Sequence, residues 1–124
     1  MMAAAMLFGV AASQLFAAIA EVESENGRTS DNVYQIQRVY LDDLGRVYGC
    51  HFADEVMTDR HASEQVMLAY LEYYGERYAR RTGRQPTAEV LARIHNGGPN
   101  GWRKDSTLAY WAKVKAAMER SETK

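Results

Sequence analysis

Apolar residues recur every three or four positions along most of this chain, and that spacing limits the folds open to it more than any other feature. No segment shows the two-residue alternation that a half-buried strand needs. The spacing therefore predicts a mainly α protein with little or no β-sheet. Helices are predicted over residues 13–23, 34–47, 59 or 63 to 82, 86–94 and 106–119, with a short turn or helix over 51–57.

The first twelve residues allow two interpretations. They form either an export signal, with Ala3–Val10 as the apolar stretch and a cleavage site at Val10-Ala11-Ala12, or the start of a buried first helix. The protein would be secreted or periplasmic in the first case and cytoplasmic until release in the second. The apolar stretch is too short to cross a bilayer, so no stable membrane insertion is expected. The remaining residues, 13–124, suit one domain with its own core.

Charge is unevenly distributed along the chain although the formal net charge is -1. Residues 21–76 carry 12 acids and 4 bases, a net charge of -8, whereas residues 77–124 carry 11 bases and 4 acids, a net charge of +7. One interpretation is a set of solvated helix surfaces. The other is a cationic half that attracts a polyanion, such as an anionic polysaccharide. Nucleic acid is not an expected partner, because no nucleic-acid-binding motif accompanies the charge.

The cysteine and histidine residues exclude two classes of site. Cys50 is the only cysteine, so an internal disulfide is impossible, and its thiol is expected to be packed rather than reactive. The three histidines, at positions 51, 61 and 95, do not have the spacing of metal ligands. No metal site is expected.

Two acidic residues are candidates for acid–base chemistry. At 100° per residue, Glu23 falls within the apolar stripe of the first predicted helix, whereas Glu21 falls nearly opposite. Burial disfavours a charged carboxylate, so the pKa of Glu23 is expected to rise and the group to act as a general acid. Asp31 follows in a polar loop, and two carboxyls across a cleft are what glycoside hydrolysis requires. The spacing equally allows Glu23 at the exposed edge of the stripe and Asp31 as an ordinary turn residue.

Groups that suit sugar binding gather at two places. Tyr34 and Gln35 follow the polar loop, and the stretch LARIHNGGPNGW, residues 91–102, holds three glycines and two asparagines. Amides pair with sugar hydroxyls, aromatic rings stack on apolar sugar faces, and glycines let the backbone approach a ligand closely. The alternative is a plain connector between two helices, which explains one or two glycines better than the whole string.

Several of these segments resemble one known family. ARIHNGGPNG followed by STLAYWAKV is similar to the C-terminal signature of the invertebrate-type lysozymes and their cysteine-poor bacterial and phage-like relatives. AIAEVESE, residues 18–25, resembles the helix that ends in the family's catalytic glutamate, and VYQIQRVYLDDL resembles the segment that follows it. The similarity runs in the same order from Ser13 to Met118. It implies a small, mainly helical, lysozyme-like domain.

The resemblance also implies an activity, that of a muramidase, which cleaves the β-1,4 bond between N-acetylmuramic acid and N-acetylglucosamine in peptidoglycan. Glu23 falls on the family's general acid, and Asp31 is the nearest match to its second carboxylate. The expected partner is the peptidoglycan glycan strand, and neither a metal nor an organic cofactor is needed. The resemblance also implies substrate contacts for five residues, namely Tyr34, Gln35, His95, Asn96 and Gly97.

The chain departs from the family in two respects. Animal members are rich in disulfides, whereas here only Cys50 remains and Trp102 stands where those members tend to have a cysteine. The loop between Glu23 and Gln35 is also shorter than is usual in the family. The short loop keeps a second hypothesis open, a non-catalytic lysozyme-like protein with a glycan-binding or structural role.

Overall fold

The structure, a computed structural model, describes residues 5–122. Helices dominate this part of the chain, and the mainly α class with very little sheet is confirmed. The helices are α1 (Ala12–Ser24), α2 (Arg38–Tyr48), α3 (Arg60–Thr82), α4 (Ala88–Gly97) and α5 (Leu108–Glu122). Short 3-10 turns cover Asp54–Thr58, Gly101–Arg103 and Asp105–Thr107.

All five helices contribute to one hydrophobic core. α1 packs along α5, and α4 contacts α1, α3 and α5, so α1 and α4 lie near the centre of the fold. α2 packs on α3 at one side. The last turn of α1 lies beside the last turn of α4, where Nε2 of His95 is 3.5 Å from Oε2 of Glu23. Fully buried side chains include Leu15, Ile19, Leu41, Leu44, Met67, Tyr70, Leu71, Leu91, Ile94 and Val114.

Capping residues explain where α3 and α4 begin and where α3 ends. The Asp59 carboxylate accepts a hydrogen bond from the Ala62 amide at 3.0 Å, and the Thr87 hydroxyl accepts one from the Val90 amide at 3.3 Å. Gly83 follows α3 with φ 71°, a conformation that glycine adopts without steric cost. These boundaries match the predicted ones because short polar caps and a terminal glycine can be read from sequence.

The second helix begins at Arg38, four residues after the predicted start at position 34. Before it, the Asn32 side chain bonds both backbone groups of Ile36, donating to the carbonyl at 2.7 Å and accepting from the amide at 2.9 Å. This pairing closes a turn in which Gln35 has φ 50°, which no α-helix accommodates. Ile36 is four positions before Tyr40 and is buried like it, so it fits the helical spacing although its own backbone is not helical.

A short hairpin precedes α1. β1 (Met6–Leu7) pairs antiparallel with β2 (Val10–Ala11), with Met6 opposite Ala11 and Leu7 opposite Val10. The turn places Phe8 against α3 at Gly75, where a Cβ would lie 2.5 Å from the Phe8 ring. Of the predicted signal segment, residues 1–4 lie outside the described residues, and its cleavage stays a prediction.

Two side chains lie differently from expectation. Helical spacing predicts Leu108, Trp111, Val114 and Met118 on the inner face of the last helix, but Leu108 is 48% exposed. The buried positions of α5 are Tyr110, Val114 and Ala117. Cys50, expected to be packed, is exposed. It follows Gly49, whose left-handed φ of 68° ends α2 and turns the chain outward from the core.

Candidate active site

A cleft of about 770 Å³ lies between the last turn of α1, one face of α2 and the bend that follows α4. Its wall contains two carboxylates, Glu23 and Asp43, and the rings of Tyr40 and Tyr70. The bend contributes residues 96–99 to the opposite side. Carboxylates, aromatic rings and glycine backbone are thus combined in one concave site.

The end of α1 is anchored by the residue after Glu23. Ser24 is buried, its hydroxyl donates to the Val33 carbonyl at 2.7 Å, and it accepts from the Gly27 amide at 2.9 Å. Glu25 caps the helix in a left-handed conformation with φ 51°, which turns the chain back across the helix end. The serine therefore ties the following loop to α1, and Glu23 lines the cleft beside it.

The Glu23 carboxylate has two polar side-chain neighbours and is 17% exposed. The Tyr110 hydroxyl donates to Oε2 of Glu23 at 3.4 Å, and Nε2 of His95 lies 3.5 Å from the same oxygen. Burial raises the pKa of Tyr110 well above its ordinary value, and the nearby Glu23 charge and hydrogen bond add to that effect. The Tyr110 hydroxyl therefore keeps the proton that it donates to Glu23.

Both ring nitrogens of His95 are engaged. Nε2 lies 3.0 Å from the Tyr34 carbonyl oxygen, and Nδ1 lies 3.2 Å from the Tyr40 hydroxyl. A carbonyl can only accept a hydrogen bond, so Nε2 carries a hydrogen. The imidazole side chain is 2% exposed. It is thus suited to orienting Glu23 and the Tyr34 backbone, rather than to offering a free nitrogen to a ligand.

Asp43 is the second carboxylate in the wall, and it was not among the residues predicted from sequence. Its side chain is 14% exposed, it forms an ion pair with Arg46, and it accepts a hydrogen bond from the Tyr70 hydroxyl. Burial raises the pKa of Tyr70 well above its ordinary value, and the Asp43 charge adds to the increase. Asp43 has helical spacing from Ile36 and Tyr40. An acid within an apolar stripe, the signal that identified Glu23, was therefore present here as well.

A stacked tyrosine pair joins the surroundings of the two carboxylates. The Tyr40 and Tyr70 rings lie 3.7 Å apart between centroids and 11° from parallel. Tyr40 contacts His95, which contacts Glu23, and Tyr70 bonds Asp43. Burial raises the pKa of Tyr40 well above its ordinary value, so this hydroxyl also keeps its proton. Protonated tyrosines thus connect the two acids of the cleft.

The bend after α4 depends on its glycines. Gly98 ends α4 with φ 89° and ψ -170°, and a Cβ on Gly101 would lie 2.0 Å from the Arg93 carbonyl oxygen. The Lys104 ammonium donates to the Gly97 carbonyl at 2.7 Å and closes the bend from the other side. The string of glycines is therefore explained partly by backbone packing and partly by the exposure of backbone to the cleft.

The cleft wall includes five of the seven predicted site residues and excludes two. Asp31 is exposed in the loop and is not in the wall, because the Asn32 turn directs Gln35 there instead. The Tyr34 ring packs inward at Phe16, and its hydroxyl donates to Glu64. The catalytic and binding roles stay predictions. The five residues in the wall are Glu23, Gln35, His95, Asn96 and Gly97.

Residues 5–122 contain neither a candidate metal site nor a candidate membrane-spanning helix. No group of three or more histidine, cysteine, aspartate or glutamate side chains in this part of the chain is arranged to hold a metal ion. No helix in the same range combines the length and apolar character needed to cross a membrane.

Comparison with models of protein families gives no match. Individual proteins are similar to this chain. Lysozyme 1 of Crassostrea virginica is 37% identical over 83 residues, which cover 67% of this chain and 42% of that protein. A lysozyme of Magallana gigas is 38% identical over 81 residues, which cover 65% of this chain and 55% of that protein. The chain thus spans about half the length of these two relatives.

A third relative is covered more completely. Invertebrate-type lysozyme 6 of Caenorhabditis elegans is 36% identical over 95 residues, which cover 72% of this chain and 67% of that protein. The resemblance noted in the sequence motifs is therefore confirmed over most of the chain. The chain belongs to the invertebrate-type lysozyme family.

Proposed function

We propose that this protein is a glycosidase that cleaves peptidoglycan strands at the β-1,4 bond between N-acetylmuramic acid and N-acetylglucosamine, with Glu23 as general acid. One observation carries the proposal. A partly buried glutamate lies in the wall of a large cleft, next to a glycine-rich bend, in a member of a family whose relatives are named lysozymes. Glycoside hydrolysis requires a carboxylic acid in such a position.

The surroundings of Glu23 suit a proton donor. Tyr110 and His95 both lie at Oε2 and orient the carboxyl group relative to the cleft. Transfer of the Glu23 proton to the bridging oxygen would let the glycosidic bond break, release the leaving sugar as an alcohol and leave a glutamate anion. Water would add its hydroxyl to the sugar carbon, and the proton that it loses would go to a carboxylate of the cleft. The Tyr110 hydroxyl would then stabilise that anion, because it stays protonated and donates a hydrogen bond to it.

Asp43 is better supported than Asp31 as the second carboxylate. It lines the cleft, whereas Asp31 is exposed outside the wall. A second carboxylate stabilises the positive charge of an oxocarbenium-like centre, attacks that centre, or directs water to it. Arg46 and Tyr70 bind Asp43 and would hold it in one orientation for that role.

The amides and backbone of the cleft would bind the sugar. Gln35 and Asn96 are exposed in the wall, and amide groups pair with sugar hydroxyls. Gly97 would offer backbone groups at close range. Tyr34 and His95 would contribute indirectly, because the Tyr34 ring is buried outside the cleft and both His95 nitrogens are engaged.

Release of reducing ends from purified peptidoglycan tests the enzyme proposal. Glu23→Gln keeps the shape of the side chain but has no acidic proton, so kcat should fall by about 100-fold to 10,000-fold. Glu21→Gln is the matched control, since Glu21 lies on the same helix, outside the cleft, and pairs with Arg28 at 3.3 Å. Equal activity of the wild type and Glu23→Gln would refute the assigned role.

A comparison of two aspartate variants tests the second carboxylate. Asp43→Asn should lower kcat more than Asp31→Asn does, because only Asp43 lines the cleft. A larger loss of kcat in Asp31→Asn than in Asp43→Asn would indicate that Asp31 is the second carboxylate.

A non-catalytic glycan-binding or structural protein is the second candidate. It is favoured by the position of Asp31, the nearest match to the family's second carboxylate, outside the cleft wall. If this alternative is correct, the wild type and the Glu23→Gln variant should sediment equally with insoluble peptidoglycan, and neither should release reducing ends. Glu23-dependent release would exclude it.

The proposed substrate lies outside the cytoplasmic membrane, so the protein would act after export or release. Cell fractionation with sequencing of the mature N-terminus would show where the protein is found and whether residues 1–12 are removed. Export with loss of this segment would support the signal interpretation. An intact N-terminus in the cytoplasmic fraction would support release at a later stage.

A further inference from the structure

Two arginines of α3 converge on the glycine-rich bend without an acidic partner among residues 5–122. Arg77 and Arg81 each donate to Oδ1 of Asn100 at 3.4 Å. Asn100 follows Pro99, which lines the cleft. Two guanidinium groups repel each other, and a neutral amide oxygen compensates them only in part. This point at the edge of the cleft therefore favours a negatively charged ligand.

The two arginines continue a stripe of α3 that begins inside the cleft. Tyr70, Tyr74, Arg77 and Arg81 follow one another at intervals of four, three and four residues, which places them on one face of the helix. Tyr70 lines the cleft, and the Arg77 guanidinium lies 5.8 Å from the centroid of the Tyr74 ring. At 1.5 Å per residue the stripe extends about 16 Å. A ligand that leaves the cleft along α3 would meet the arginines.

The rest of the bend is also cationic. Lys104 lines the cleft, and the Arg103 guanidinium lies 5.6 Å from the Trp102 ring centroid on an exposed surface. Asp105 is the nearest acid in sequence, and no ion pair joins it to these cations in the part of the chain described. The excess of positive charge is thus local to this end of the cleft.

We propose that Arg77, Arg81 and Asn100 form a subsite for a carboxylate of the peptide stem carried by N-acetylmuramic acid, an inference that rests on the proposed function. The stem is joined by an amide bond to the lactyl group of N-acetylmuramic acid and carries free carboxylates at a distance from the sugar ring, whereas a strand without stems has only the lactyl carboxylate beside the ring. Guanidinium groups present forked donors that match a carboxylate. The preferred substrate is therefore a stem-bearing strand rather than a bare glycan.

Binding to soluble fragments tests the subsite without turnover. Calorimetric titration of the Glu23→Gln protein would compare a disaccharide with a tetrapeptide stem against the same disaccharide with a methylamide on the lactyl group in place of the stem, which carries no carboxylate. We expect the stem to tighten binding about tenfold, and Arg77→Gln with Arg81→Gln to reduce that ratio to near one. Arg77→Lys with Arg81→Lys keeps the charges and should restore part of the ratio.

The matched control is the double variant Arg80→Gln with Arg84→Gln, which removes the same charge near the C-terminal end of α3. Arg80 pairs with Glu76 at 3.6 Å, and Arg84 follows the end of the helix. This control should keep the wild-type preference for the stem. An equal loss of stem preference in the two double variants would show an effect of net charge and would overturn the subsite. Equal affinity of the Glu23→Gln protein for the two ligands would also overturn it. Thermal unfolding of each variant verifies that it folds.

Failure of the subsite and failure of the enzyme proposal give different results. Cleavage that depends on Glu23 but shows no preference for stem-bearing strands overturns the subsite and keeps the enzyme. A stem preference that depends on Arg77 and Arg81, without any cleavage, supports the subsite and overturns the enzyme.

Discussion

Tyr110 shows how one hydroxyl group can support the proposed acid. It donates to Glu23 Oε2 at 3.4 Å and would stabilise the anion that Glu23 becomes after proton transfer. Tyr110→Phe removes the donor and keeps the ring. The kcat for release of reducing ends from peptidoglycan should therefore fall by about threefold to tenfold.

Tyr78→Phe is the control for this loss of kcat. Tyr78 belongs to α3 and packs against Trp102 at 5.0 Å between ring centroids, and it is not part of the cleft wall. The Tyr78→Phe variant should keep the wild-type kcat. An unchanged kcat in Tyr110→Phe would contradict the proposed role of the hydrogen bond.

Gly101 is required by close packing rather than by its backbone conformation. Gly101→Ala would place Cβ 2.0 Å from the Arg93 carbonyl oxygen, so the bend or α4 must move, and the free energy of unfolding should fall by about 3 kcal/mol. Gly83→Ala is a useful comparison, because φ is 71° and no atom lies within 4 Å of the added Cβ. Gly83→Ala should lower the free energy of unfolding by about 1 kcal/mol. Urea titrations measure the free energy of unfolding of both variants, and equal losses in the two would refute the packing argument.

Single residues of the site were only partly predictable. The helical position of Glu23 was readable because an acid interrupts an apolar stripe, and Asp43 carries the same signal on α2. The side chains of Tyr34 and His95 were expected to touch substrate. Tyr34 is instead buried outside the cleft, and His95 bonds protein groups through both nitrogens. Motif position identifies a residue but does not tell which way its side chain points.

At the scale of elements, the turn before α2 decides which loop residues reach the cleft. Asn32→Ala would remove both side-chain bonds to Ile36 and release Gln35 from its left-handed conformation. We expect a loss of about 2 kcal/mol in unfolding free energy and a higher KM for peptidoglycan, because Gln35 would no longer be held in the wall.

Asp31→Ala is the neighbouring control for that turn. Asp31 is exposed, and its variant should change stability by less than about 0.5 kcal/mol. Thermal unfolding and initial-rate kinetics provide the two measurements. A stable Asn32→Ala protein with an unchanged KM would show that the turn does not position Gln35.

Trp102 illustrates how the bend is attached to α3 without a disulfide. It occupies a position where the family's animal members tend to have a cysteine, and its ring meets Tyr78 edge-on at 5.0 Å. Edge-to-face aromatic pairs contribute about 0.5–1.5 kcal/mol beyond the area that they bury. The aromatic contact therefore holds the bend to the helix that carries Arg77 and Arg81.

At the scale of the whole molecule, buried tyrosines make stability sensitive to alkali. Burial raises the pKa of Tyr34 from 10.0 to about 12, and the nearby Glu64 adds to the shift. The folded protein thus holds this proton more tightly than the unfolded chain. The contribution of the protonated Tyr34 hydroxyl to the free energy of unfolding is complete below pH 10 and is lost as the pH rises to about 12.

Tyr34→Phe should therefore lose less stability between pH 10 and 12 than the wild type loses, by about 1–2 kcal/mol. Urea unfolding at several pH values in this range measures the difference. Tyr48→Phe serves as the control, because Tyr48 is 58% exposed. A parallel decline of the wild type and Tyr34→Phe would contradict the assignment.

The sequence alone determined the helical class, most helix boundaries and the family. Caps and apolar spacing act within about one helical turn, and long motifs keep their order along the chain. The tertiary structure decided which carboxylates share the cleft. Packing of Tyr40 on Tyr70 holds α2 against α3 and brings Asp43 into the wall, whereas the Asn32 turn leaves Asp31 outside. The contact between Tyr40 and Tyr70 joins residues far apart in the chain, so local spacing carries no record of it.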